Sequence, residues 1–174
     1  MQARLTQSIE RRRMRRGFTL AEALIASVFL AIAALGVAGT ITAAAQEAAR
    51  FSQSGNCQAL ARELIEEISS KSFTTQSGTG WSASNTDRST YDDAADYNGY
   101  TDNSTSGIKT LQGTAVSFGD SATYTRTVAF EYRATPGGVA VSSGDFGMAT
   151  VTVTSNGGVS VTLQRLLGNS PVKR

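Results

Sequence analysis

The chain has 174 residues, 40% of them hydrophobic, with no His and a single Cys. That length suits one domain with a modest core. The missing His and lone Cys exclude a His-based acid/base or metal site and any disulfide within one chain. The net charge of +2 misleads as a sign of nucleic-acid binding, because residues 1–17 hold six Arg and one Glu while the other 157 residues carry ten basic and thirteen acidic groups.

The first predicted element is a basic leader, residues 1–17. Such a basic tag either binds something acidic or holds the N-terminus in the cytoplasm, and no nucleic-acid partner is expected through it. A membrane helix is predicted next, over residues 18–45. Glu22 is its only charge, and none follows between Ala23 and Ala45. About 20 apolar residues suffice to span a bilayer. The arginines ahead of the run place its C-terminal side in the exported half of the chain. A secretory signal would have an apolar region of only about 7–15 residues, so "TAAAQ" (42–46) imitates a cleavage site behind too long a run. A permanent single-span anchor is the other competing reading. Neither accounts for Glu22, since a charge near the centre of a membrane helix costs about 2.5–3.5 kcal/mol and calls for a partner.

The residues around Glu22 suggest that partner. "RRGFTLAE" resembles the signal of the type IV prepilins: a basic leader, Gly, then Phe, Thr, Leu, any residue and Glu. The resemblance implies cleavage by prepilin peptidase between Gly17 and Phe18. It also implies N-methylation of Phe18 and pairing of Glu22 with the Phe18 amine of a neighbouring subunit. Gly17 suits a peptidase that needs close backbone approach. Two opposite charges in an apolar bundle are costly apart and tolerable together, and the pair fixes axial register. One departure stands out. Many major pilins carry a Pro in this stretch, whereas this chain has none between residues 18 and 72. Gly36 and Gly39 are the weak points of the helix, or places of close helix packing.

The helical period continues over residues 46–72, which read as an amphipathic continuation. Leu60, Leu64, Ile65 and Ile68 form one apolar stripe, with Arg62, Glu63, Glu66, Glu67 and Lys71 off it. One helix is therefore predicted from about Phe18 to Ser72. Cys57 lies within it as a small packing residue, with no His to activate it.

Residues 73–110 are predicted as a loop region; of the 37 residues from 74 to 110, 26 are Ser, Thr, Gly, Asn or Asp. In "YDDAADYNGY" (91–100), Asp92, Asp93 and Asp96 offer oxygen ligands for calcium, but not at EF-hand spacing. The plainer reading has turn-forming Asp and Asn, with Tyr91, Tyr97 and Tyr100 packing the loop down. The run also resembles, in part, the "DDxDDY.G" segment of minor pilins in mannose-sensitive haemagglutinin pilus systems, with Ala94 and Ala95 at its third and fourth positions.

Residues 111–168 are predicted as antiparallel sheet, followed by a tail at 169–174. Strands are predicted at 122–133, 146–155 and 158–167, with a short one through Val116 and Phe118. Inward faces fall on Tyr124, Val128, Phe130 and Tyr132, on Ala149, Val151 and Val153, and on Val159, Val161 and Leu163. Asn156-Gly157-Gly158 and Pro136-Gly137-Gly138 mark turns. The expected fold is α+β, one long helix packed across three or four strands; the pilin resemblance implies the same arrangement.

The expected function is a minor pilin or pseudopilin, with prepilin peptidase, other pilin subunits and the inner membrane as partners. It would start as a single-pass inner-membrane precursor and end in a cell-surface or periplasmic filament. Pilus, type II secretion and DNA-uptake filaments all fit. The alternative is an uncleaved, membrane-anchored binding module. No cofactor is expected, and no enzyme, because the Ser residues have no base beside them in any recognisable motif.

Overall fold

A computed structural model describes residues 18–73, 82 and 84–168. The leader with Gly17, part of the Ser/Thr-rich region and the tail at 169–174 lie outside the described residues. The chain divides into two units, at residues 45 and 46.

In the first unit, residues 20–45 belong to helix α1, which runs Leu20–Ser70. It is long and apolar enough to cross a membrane. Its large side chains stand uncovered; Phe29 is 68% and Leu35 74% exposed. The few hydroxyls in the run bond back to their own helix. Ser27 Oγ donates to the Leu24 carbonyl at 2.8 Å, Thr40 Oγ1 to Val37 at 2.8 Å, and Thr42 Oγ1 to Ala38 at 3.0 Å. Each is satisfied without water, as an apolar surrounding requires.

In the second unit, residues 46–70 of α1 lay a stripe over a five-stranded antiparallel sheet. Its strands are β1 (Thr101–Asn103), β2 (Tyr124–Arg133), β3 (Ala140–Val141), β4 (Phe146–Ser155) and β5 (Ser160–Gly168). The order is β1-β2-β4-β5, with β3 paired beside β2. The α+β architecture is the one expected. Two strands more than the three long ones are present, and both are short because only a few residues of each reach β2.

The core is built from alternation. Tyr124, Val128 and Phe130 of β2 and Ala149, Val151 and Val153 of β4 point inward and are buried. They meet Cys57, Leu60, Ala61, Leu64, Ile65 and Ile68 of α1. Cys57 is fully buried and its thiol is pushed up by desolvation, as a packing role implies. Val161 and Leu163 of β5 are half-buried at the sheet's edge. Gly147 occupies an inward position of β4 because any Cβ there would collide with the rings of Phe130 and Phe73. The β4–β5 turn uses Gly158 at φ +80°, a conformation open to Gly. Ser155 N–H donates to Val159 O at 2.8 Å across it.

The edge strand differs from expectation. Val116 and Phe118 form no strand; that stretch makes a single bridge, Lys109 to Ala115. The edge is instead Thr101–Asn103, in register with Thr125–Thr127. It wins because Asp102 faces Arg126 across the pair and forms a bidentate ion pair with it.

Candidate functional site

Three groups of side chains bear on function: the start of α1, a buried charge network and the acidic turn.

Thr19 and Glu22 open the helix as a capping box. Thr19 N–H donates to Glu22 Oε2 at 2.9 Å, and Glu22 N–H donates to Thr19 Oγ1 at 3.3 Å. The Thr19 hydroxyl also donates to Glu22 Oε2, at 2.9 Å. Two orphan N–H groups of the first turn are thus satisfied reciprocally. The carboxylate also sits at the positive end of the helix dipole, which favours a negative charge there. Thr19 thus gives the Glu22 carboxylate two hydrogen bonds within its own turn. The spacing T-x-x-E signals this box, and it lies inside the very motif that suggests a prepilin. Phe18, 80% exposed, stands immediately before it.

The second group was missed by sequence reasoning. Glu67 lies off the apolar stripe of α1, yet it is buried, and Arg88 Nη1 meets its Oε2 at 2.6 Å. Tyr97 OH donates to the other oxygen of Glu67 at 2.6 Å. Arg88 Nη2 donates to the Lys109 carbonyl, which also accepts from Arg126 Nη2 at 3.1 Å. Arg126 is fully buried and grips Asp102 through Nε at 2.9 Å and Nη2 at 2.5 Å. Glu63 approaches Arg126 Nη1 at 3.5 Å, and Tyr100 OH donates to Asp102 at 2.9 Å. Arg88 also lies over the Tyr100 ring, 5.6 Å from its centre. The chain of contacts joins α1, the 85–110 segment and β2. One signal was available: Arg126 occupies an inward position of an alternating strand, where a charge must find a partner.

The acidic turn brings Asp92, Asp93 and Asp96 together, with carboxylate oxygens within 4.8 Å. Their hydrogen bonds serve the backbone. Asp96 Oδ2 accepts from the N–H of Asp92 and Asp93, and Asp93 Oδ1 from the N–H of Ala95 and Asp96. This is the turn-forming use of Asp. A hydrogen bond with Asp96, then desolvation, raises the Asp92 carboxyl. Tyr91, Tyr97 and Tyr100 are all buried and pack edge to face or tilted, with Tyr91 and Tyr97 centred 4.9 Å apart. Tyr91 OH closes the loop by donating to the Asn85 carbonyl at 2.9 Å.

The chain matches no family model, no curated protein and no solved structure.

Glu67→Gln removes the charge that faces buried Arg88, so it lowers unfolding free energy by about 3–5 kcal/mol. Urea unfolding of the full chain in micelles measures this, and the double variant Glu67→Leu/Arg88→Met recovers part of the loss. Burial pushes Tyr91 and Tyr124 up to about 12. The unfolded chain loses those protons near pH ~10 while the folded chain keeps them. Stability is therefore full below about pH 10 and falls as pH rises toward 12. Thermal melts with tyrosinate absorbance check this: the phenolate signal of these two rings appears only as the fold is lost.

Proposed function

We propose that this chain is a structural subunit of a type IV pilus-like filament, a minor pilin or pseudopilin. Prepilin peptidase cuts it between Gly17 and Phe18, and it assembles through residues 18–45. The single observation that carries this reading is the order of features in one short run. An Arg-rich leader, Gly17, Phe18, Thr19 and Glu22 are followed by more than twenty uncharged residues. Before cleavage the membrane holds the precursor by that run, with the N-terminus in the cytoplasm. After cleavage the new Phe18 amine is the cation nearest the apolar seam. In a filament, residues 18–45 pack against the same segment of other subunits.

The capping box adds a physical step. Two bonds from Thr19 already reduce the cost of holding Glu22 at the edge of an apolar phase. A carboxylate has about four lone-pair sites, so Glu22 retains capacity for an amine from an adjacent subunit. The same box supports a second reading, an uncleaved single-span anchor carrying an exported binding module, because it gives Glu22 a partner with no neighbour present.

One experiment separates the two. Glu22→Leu leaves cleavage intact and lowers the amount of subunit in sheared surface fibres at least several-fold, read by immunoblot of fibre and envelope fractions. Gly17→Phe, run beside it, leaves the precursor at full size. Equal incorporation of Glu22→Leu removes the pairing role, and normal trimming of Gly17→Phe removes the peptidase.

A further inference from the structure

A cleft of about 690 Å³ opens between residues 86–89, 100–102 and 106–113, with Arg88, Tyr100 and Asp102 among its lining residues. That volume lies within the range of small-molecule sites. Arg88 and Tyr100 are buried, and Asp102 is held by both arms of Arg126. Glu67, the Lys109 carbonyl and Arg126 fix these three side chains through α1 and β2, so little ordering remains to be done when a ligand arrives. Anchoring the segment does not by itself require charge here, because a buried ion pair contributes little over an apolar replacement of the same volume.

The charges in the cleft cancel. Asp102 pairs with Arg126, Arg88 pairs with Glu67, and the remaining two charged residues of the lining, Asp87 and Lys109, are of opposite sign. An ionic ligand therefore finds no surplus of either sign. What remains is a rim of neutral donors and acceptors, Thr101, Ser106, Thr110 and Gln112. Arg88 adds to them, with two of its five N–H donors engaged by Glu67 and Lys109. Leu111, 39% exposed, supplies an apolar patch beside them. Convergent polar groups, no net charge and one apolar wall match a ligand whose hydroxyls each give and accept a bond and whose C–H face is apolar. We propose that this cleft binds a neutral oligosaccharide of about two or three sugar units. The inference needs neither cleavage at Gly17 nor filament assembly, so it stands or falls apart from the filament reading.

The test uses the full chain in micelles of a sugar-free detergent, probed with an array of neutral oligosaccharides built from glucose, galactose, mannose and N-acetylglucosamine. Saturation-transfer NMR follows the best binder. At least one oligosaccharide binds, inorganic phosphate does not compete, and Gln112→Trp, which fills the cleft from an exposed position, weakens binding at least about tenfold. Thr101→Val, on the exposed edge strand, weakens it several-fold and serves as the second variant if the first melts early. Absence of binding across the array, competition by phosphate, or unchanged affinity in whichever variant melts like the parent overturns the proposal.

Discussion

The constraint on which everything else depends is an uncovered helix. From Ala23 to Ala45 the chain carries no charge, and the apolar window of α1 has none of its residues buried among the described parts of the chain. Apolar surface left in water costs about 25 cal/mol per Å², so a run of this size has to be covered from outside. Lipid covers it in a membrane and like helices cover it in a filament. Both surroundings demand that polar groups be satisfied locally, which is what the Thr19–Glu22 box and the back-bonded Ser27, Thr40 and Thr42 achieve.

The second unit solves the opposite problem. Its 85–110 segment is poor in aliphatic side chains and cannot be held down by them alone. Three tyrosines, Ile108 and two buried arginines take their place. Arg88 ties the segment to Glu67 of α1, and Arg126 ties it to β2 through Asp102. Such a network is unforgiving. With every partner present its charges are compensated; with one removed, an unpaired ion is left where water does not reach. The same bonds that anchor the segment also set the positions of Arg88, Tyr100 and Asp102 in the cleft.

Much of this arrangement is readable from residue order. The uniform apolar run, the stripe at Leu60, Leu64, Ile65 and Ile68, and the period-2 strands ending at Asn156-Gly157-Gly158 are local patterns, and each reports its own element. The edge strand at Thr101–Asn103 is not local. It rests on Asp102 finding Arg126 twenty-four residues away, a pairing that periodicity does not encode. The burial of Glu67 is non-local for the same reason, since a carboxylate on a helix reads as solvated until its partner, here Arg88, is known. At the helix start the T-x-x-E spacing is local, and it reports the Thr19–Glu22 capping box directly.

The central claim is that the arginine-rich head is removed and Phe18 becomes the first residue of the working protein. Intact-mass and N-terminal fragment analysis of the chain purified from its native membranes tests this directly. The account predicts a mature species that lacks residues 1–17 and begins at an N-methylated Phe18. A mature species that retains Met1, or one that begins near Gln46, contradicts it.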